Sequence, residues 1–364
     1  MRTRMLSVRD YLLAGQYGQN AEHSLSWLQR YWRPIHCRRR YGIGPKFYAL
    51  YDFAKLPEPQ WPEFVIDEPY KTLLRRLSSN EQRLVTNDKR LFERHCRAHD
   101  LPSIRNLGVI ASTPPGDLDN LPLIGDASAL AGIFSSSTPA LFFKLIDASH
   151  GRKAFSAERL GNGVRWLDRH GSIEELFAYC QQQAADESGW LIQPRIRNHH
   201  LLRPLMGGGA GVGTIRIVTV LRAQCYQVIG ACLRIIVGDN AVDNFAHGAS
   251  GNIAAAIDVD SGQMRAARGS RFRHWPVLEN HDRHPQTAAP ITGFTLPYWS
   301  ETLALVERAH RSMSEVPTLG WDVAITDGGP VIIETNSTYD VDILQVTHQR
   351  GFKPVLAAAL GCNW

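Results

Sequence analysis

Gly320-Trp321-Asp322-Val323-Ala324-Ile325-Thr326, then Asp327-Gly328-Gly329, then Pro330-Val331-Ile332-Ile333-Glu334-Thr335-Asn336, is the stretch that decides how this chain reads. Asp-Gly-Gly between two apolar runs signals a turn, and a three-residue loop at 327–329 would pair Thr326 with Pro330. Counting back along the hairpin sets Asp322 opposite Glu334, with Cβ atoms about 5 Å apart. Side chains alternate along a strand, so Asn336 falls on the same face as Glu334. Two carboxylates and an amide thus converge among Trp, Val and Ile. Opposed like charges in apolar surroundings need a partner. One candidate is a divalent cation, and hard oxygen ligands without Cys or His select Mg²⁺ over zinc. The other is an acidic surface hairpin whose Asp322 and Glu334 pair with arginines.

The spacing of Asp322, Glu334 and Asn336 resembles the Mg²⁺ site of ATP-grasp enzymes. The hairpin as a whole looks like the sugar-transfer-associated ATP-grasp family. Further stretches are similar in the same order: Thr214-Ile215-Arg216-Ile217-Val218-Thr219, Val242-Asp243-Asn244-Phe245, and His284-Pro285 followed by Pro297-Tyr298-Trp299. The resemblance covers roughly residues 85–350. It implies an α+β ATP-grasp fold, with ATP clamped between two α+β subdomains and Mg²⁺ on Asp322, Glu334 and Asn336.

Phosphoryl transfer is mostly positioning and charge neutralisation, so cations should face this hairpin. Lys144 lies within the apolar strand Leu141-Phe142-Phe143-Lys144-Leu145, ahead of a loop reaching Lys153. The resemblance makes it the strand lysine of the nucleotide site; a lysine snorkelling from a structural strand is the alternative. Lys89, in Asn87-Asp88-Lys89, resembles the second ATP-grasp lysine, or is an exposed helix lysine. Arg216, mid-strand, suits a γ-phosphate or acyl phosphate, or else an internal ion pair with Asp322 or Glu334. Trp190 to Ile196 is similar to the hinge strand that meets adenine, which nominates Gln193, Arg195 and Ile196 alongside Lys153 as nucleotide contacts. Two departures stand out. The loop Ser149-His150-Gly151-Arg152-Lys153 has one glycine where the family is richer, and Gln193-Pro194 stands where a Glu is frequent. Asp243, Asn244 and His247 are read as part of an acceptor or phosphate pocket, or as a plain connecting loop. His199-His200 and His274, His281 and His284 fit no common zinc spacing and read as surface or core histidines.

Working outward, Thr214–Leu221 and Tyr226–Ile236 predict a hairpin, and strands near 253–259 and 263–268 flank Asp260-Ser261-Gly262. Pro297–Ser314 predicts a helix. Upstream, Ile104–Ile110, Leu141–Leu145 and Trp190–Pro194 predict strands. Ser172-Ile173-Glu174-Glu175 is a capping box opening a helix to about Asp186. Thr86/Asn87 are expected to cap a helix to about His99, and Asp126 a short one ending near Phe134. Residues 1–80 read as irregular helix punctuated by Pro57, Pro59, Pro62 and Pro69. Hairpins with helices on one side indicate α+β layering, and no Gly-x-Gly-x-x-Gly or P-loop follows a strand. The expected units are a basic helical extension (1–84), a first lobe with Lys89 and Lys144 (85–190), a second lobe with the metal hairpin (191–350) and a C-terminal helix (351–364).

Composition is that of a globular protein, 44% hydrophobic and 21% charged. The net charge of +5 is uneven: residues 1–46 hold nine Lys/Arg against Asp10 and Glu22, so the rest sums to −2. Such an arm can meet anionic lipid or polysaccharide, or simply form a solvated face. Nucleic acid is not expected, since few aromatics interleave the basic residues. No run approaches the about 20 apolar residues that span a bilayer. No apolar signal region is evident, and six scattered cysteines without Cys-x-x-Cys suit a reducing compartment; a cytoplasmic protein is expected. The resemblance implies an ATP-dependent carboxylate–amine ligase working through an acyl phosphate on a sugar-linked or small-molecule acid, possible in cell-surface polysaccharide synthesis. The alternatives are a kinase on the same fold, or a non-catalytic binder of polysaccharide or membrane.

Overall fold

A computed structural model of the chain describes residues 26–111, 121–135, 138–146, 154–184, 189–207, 211–240, 242–270, 276–362 and 364. Five helices lead: α1 (Trp27–Tyr41), α2 (Pro45–Leu50), α3 (Asp67–Leu77), α4 (Leu84–Asn87) and α5 (Lys89–Ala98). A first group of strands and helices follows: β1 (Gly108–Ile110), α6 (Ala127–Ile133), β2 (Ala140–Leu145), β3 (Phe155–Leu160), β4 (Gly163–Trp166), β5 (Arg169–Gly171), α7 (Ile173–Ala184) and β6 (Trp190–Pro194). The second comprises β7 (Ile215–Arg222), β8 (Cys225–Ile235), β9 (Ile253–Ile257), β10 (Met264–Gly269), β11 (Glu279–His281), α8 (Trp299–Ser312), β12 (Thr318–Thr326), β13 (Gly329–Asn336), α9 (Asp342–His348) and α10 (Lys353–Leu360).

The strands form two antiparallel sheets, one of six in the order β1-β6-β2-β3-β4-β5 and one of seven in the order β11-β10-β9-β8-β7-β12-β13. The architecture is α+β, as the hairpin-rich pattern predicts. Phe143, Phe155, Trp166 and Trp190 of the smaller sheet pack against Leu176 and Cys180 of α7. That leaves Lys144 and Gln193 on the opposite face, where alternation puts them.

The larger sheet is covered on both faces, which is why β7, β8 and β12 read as nearly unbroken apolar runs. Ile215, Ile217, Trp321 and Val323 meet α8 through Leu305, Val306 and Ala309, and α5 adds Phe92 and Cys96 to this same core. Thus the helix bearing Lys89 is seated on the larger sheet. On the other face Val218, Val220 and Cys232 share a core with Tyr48, Leu50, Phe53, Trp61, Phe64, Tyr70 and Leu74 of the N-terminal helices, and with Leu344 and Phe352 of the C-terminal ones. The N-terminal helices are therefore a layer of this body rather than an appendage.

Several polar groups inside these layers are paired. Thr219 Oγ1 takes the indole N–H of Trp321 at 2.8 Å and lies 2.7 Å from His310 Nδ1; His310 Nε2 meets the Val316 carbonyl at 2.9 Å. Burial pushes the His310 imidazole down to about 4, so it is neutral at pH 7. Gln345 ties the two terminal layers together. Its Oε1 accepts from Val65 N at 2.6 Å and Phe352 N at 3.4 Å, and its Nε2 donates to Tyr51 OH at 3.0 Å and Val65 O at 3.2 Å.

Several boundaries differ from expectation. Asp88, not Thr86 or Asn87, caps α5, accepting from Arg90 N and Leu91 N, because the chain first makes the separate turn α4. The expected strand 104–110 is ordered as β only over its last three residues. Strands β4, β5 and β11 carry no alternation long enough to be read, being three or four residues each. The capping box is present, with Ser172 N donating to Glu175 Oε2 at 2.8 Å and Glu175 N to Ser172 Oγ at 3.3 Å. Replacing Gln345 with Leu keeps the volume but strands the Val65 amide and carbonyl in the core. Denaturant titration should show a loss of about 2–4 kcal/mol.

Candidate active site

The hairpin β12–β13 pairs Asp322 with Glu334 and Gly320 with Asn336, as the sequence predicts, but reaches that register by another route. Thr326 pairs with Gly329, so the turn has two residues, Asp327 and Gly328, and not three. A β-bulge compensates: Val323 faces Ile332 and Asp322 faces Glu334, leaving Ile333 as the extra residue. The consequence is chemical. Ile332 belongs in the core with Trp321 and Val323. Without a bulge, Glu334 two residues on would point the same way. The extra residue turns Glu334 and Asn336 onto the opposite face, beside Asp322. Asn336 Nδ2 lies 3.4 Å from Glu334 Oε1, and both residues are half-buried.

Asp322 also pairs across β12–β7 with Arg216. The Arg216 fork donates from Nε to Oδ1 at 2.6 Å and from Nη2 to Oδ2 at 3.1 Å. A second guanidinium, Arg234 on β8, comes to 3.0 Å of Oδ2. The ion pair weighed for Arg216 in the sequence is therefore present. The Asp322 side chain is 3% exposed, the arginines 13% and 14%. Burial alone would raise the Asp322 carboxyl, but Arg216 and Arg234 outweigh it and hold it down to about 2. Burial lowers both guanidiniums, and their carboxylate neighbours more than restore them, raising both. Arg234 continues to Asp243, Nε to Oδ2 at 3.1 Å, and Asp243 Oδ2 in turn accepts from Thr214 N at 2.7 Å and Thr214 Oγ1 at 2.6 Å. Arg234 was not singled out from the sequence. The signal was there: a lone arginine in an apolar strand, two residues past Cys232, which faces Arg216.

The lysines come from other elements. Lys89 Nζ, from the first turn of α5, donates to the Ile146 carbonyl just past β2 at 2.9 Å, bridging the two bodies. Burial pushes the Lys144 ammonium down to about 8, with Glu334 pulling it up and Lys89 pushing it further down. Lys144, Lys89 and Glu334 thus feel one another across the space between the sheets. Gln193 is buried and donates to Asn106 Oδ1 at 2.8 Å, so its amide is engaged within the smaller sheet. The β2–β6 ladder runs out at Arg195, whose N–H donates to Ala140 O at 2.9 Å and whose guanidinium lies 3.5 Å from Glu158; Ile196 is the first residue beyond it. Lys153 lies outside the described residues.

A second polar group lies within electrostatic reach of Arg216. His247, held in the left-handed region at φ 58°, has Nε2 at 2.6 Å from Asp342 Oδ2 and Nδ1 at 3.2 Å from Lys46 Nζ. Burial would raise the Asp342 carboxyl; His247 and then Arg216 more than offset this and lower it. Burial lowers the Lys46 ammonium. Asn244 accepts from Ala246 N at 3.1 Å within the same loop. Lys46 and Asp342 lay beyond sequence reasoning because they come from opposite ends of the chain. Of the histidines weighed earlier, His284 is buried and 2.8 Å from the Ile236 carbonyl, while His200 pairs with Asp327 at 3.1 Å.

The sequence matches the family described as "Sugar-transfer associated ATP-grasp" over residues 70–359, most of the chain. It belongs to that family. No curated protein matches this ATP-grasp chain. Similar solved structures include N5-carboxyaminoimidazole ribonucleotide synthetase in an ADP complex (8% identity, TM-score 0.41, covering 76% of this chain and 53% of that one). Others are D-alanyl-alanine synthetase A from Vibrio cholerae (11%, 0.41, 78% and 67%) and N5-carboxyaminoimidazole synthetase from Staphylococcus aureus (7%, 0.41, 83% and 59%). The chain spans about half to two thirds of the length of these enzymes.

Asp322 and Glu334 face different demands. Asp322→Asn would leave two buried guanidiniums against a neutral amide, and denaturation should show about 3–5 kcal/mol lost. Glu334→Gln, half-buried and with no arginine bound to it among the described residues, should shift stability by less than about 1 kcal/mol.

Proposed function

We propose that the protein is an ATP-dependent ligase that activates a carboxylate as an acyl phosphate and passes it to an amine on a sugar-linked or small molecule. The observation that carries this reading is the gathering of Lys89, Lys144, Arg216 and Arg234, from four different elements, around the oxygen patch of Asp322, Glu334 and Asn336. Such a cationic, partly desolvated space suits a polyphosphate.

The donor set fits a magnesium ion. Asp322 spends three acceptor positions on Arg216 and Arg234, leaving one on Oδ1, while Glu334 carries a full carboxylate beside the Asn336 amide. Glu334, Asn336 and that last Asp322 position would hold Mg²⁺, which when bound draws charge from the β- and γ-phosphate oxygens. Lys144 and Lys89 would neutralise the phosphate chain, with Ile196 and its neighbours at the adenine end. Arg216, whose Nε and Nη2 are fixed on Asp322, keeps Nη1 for the transferring phosphoryl group. A substrate carboxylate oxygen attacks the γ-phosphorus and ADP leaves. The acceptor nitrogen then attacks the acyl carbon, releasing inorganic phosphate and a proton. The Lys46–His247–Asp342 chain, beside Arg216, is the group we assign to take that proton, with Asn244 in the same acceptor loop and Asp243 bracing Arg234.

Two measurements test this reading. Incubation with Mg·ATP over pools of acids and amines should yield ADP, free phosphate and a condensed product by mass spectrometry, all reduced at least about 100-fold in Glu334→Gln. ADP with a phosphorylated acceptor and no free phosphate would assign a kinase instead. Nucleotide affinity should weaken as pH rises past about 8, where Lys144 loses its charge, and Lys144→Arg should abolish that decline. The sign for stability is opposite. Lys144 titrates at about 8 when folded against 10.5 as a free side chain, so the unfolded chain binds more protons between those values and the empty protein gains stability with rising pH there.

A further inference from the structure

Helix α1 has two faces of unlike character. The inner one is fixed: Pro34 and Cys37 are buried, and the Arg33 guanidinium donates to the carbonyls of Phe53 and Leu56 at 3.2 and 3.1 Å while lying over the Trp61 ring. The outer one carries Trp27 at 70%, Leu28 at 70% and Trp32 at 57%, the three most exposed large apolar side chains among the described residues, together with Ile35 at 37%. At 100° per residue these four, with Tyr31, Arg38 and Arg39, fall within an arc of about 140°. The pinned inner face rules out a frayed helix as the cause of the exposure.

Its charge is one-sided. No acidic residue occurs between Glu22 and Asp52, and Arg38, Arg39 and Arg40 fill the last turn before Gly42 closes the helix by donating to Arg38 O at 3.0 Å. The helix also lies outside residues 70–359, the span that matches the ATP-grasp family, so its outer face is not needed for that fold. At 15 residues it is about 22 Å long, short of a bilayer's hydrocarbon core of about 30 Å. No described helix is long and apolar enough to cross a membrane.

We propose that α1 docks the protein on an anionic lipid surface, lying in the interfacial plane with Trp27, Leu28, Trp32 and Ile35 inserted and Arg38 and Arg39 on lipid phosphates. Tryptophan and tyrosine prefer the headgroup level, leucine and isoleucine the acyl boundary, and a flanking arginine cluster supplies attraction to negative headgroups. Nucleic acid would ask for cations along the whole face, whereas here they gather at one end.

Full-length protein should co-sediment with vesicles of equal parts phosphatidylcholine and phosphatidylglycerol, with a blue-shifted tryptophan emission, and bind pure phosphatidylcholine far less. The W27S/L28S/W32S/I35S variant should lose roughly ten-fold or more in partitioning. Its melting temperature should not change. R39E should lower binding to the anionic vesicles alone. Glu334→Gln, which tests the ligase reading, should bind vesicles as the unaltered protein does. Unaltered protein that stays in the supernatant, or a quadruple variant that sediments equally, overturns the proposal. So does a vesicle-free dimer that the quadruple variant turns into a monomer, since the face then covers a second copy.

Discussion

A carboxylate taken wholly out of water between two guanidiniums sets the geometry on which this site depends. Asp322 sits on β12 beside Arg216 of β7, with Arg234 of the next strand, β8, reaching the same carboxylate; Arg216 could not be buried without Asp322, nor Asp322 without the arginines, while Arg234 also has Asp243. Desolvation of any one ion alone would be prohibitive, so the three are folded together or not at all. The triad fixes the strand faces: Arg216 must point where Asp322 points, Arg234 beside it, and the hairpin that brings Glu334 must land in register. The bulge at Ile333 is the local device that satisfies this while still giving Ile332 to the core. Stability and chemistry here draw on the same residues, so Asp322 is a strut as much as a prospective ligand.

Much of this was legible in the sequence, for reasons that can be named. The facing of Asp322 and Glu334 follows from turn chemistry and a period of two, and α7 and α6 follow from side-chain caps at Ser172 and Asp126. The wrong turn length and the right register coexist because one residue too many in the expected loop cancels one missed bulge residue in the strand. What the sequence hid are groupings made only by tertiary packing. Lys46, His247 and Asp342 lie some three hundred positions apart at their extremes, and no local pattern links them. The N-terminal segment looked like an extension because its prolines break periodicity; its aromatic residues nonetheless fill one face of the larger sheet.

The division of labour between the two bodies is also physical. The smaller sheet contributes Lys144 from a strand whose other face is packed by aromatics, so the ammonium is held rigidly and in poor contact with water. The larger body contributes the carboxylates, the arginines and, through α5, Lys89. Lys89 crosses to the Ile146 carbonyl, so a direct bond already joins the two bodies.

The short link Gly42-Ile43-Gly44 joins the outward-facing helix α1 to α2, whose Lys46 meets His247. With α1 lying on a bilayer, the Lys46–His247–Asp342 chain, proposed to handle the proton, would stand only a few residues along the chain from the lipid plane. Under the proposed ligase reading, an acceptor carried on a lipid would then approach by lateral diffusion, a search in two dimensions.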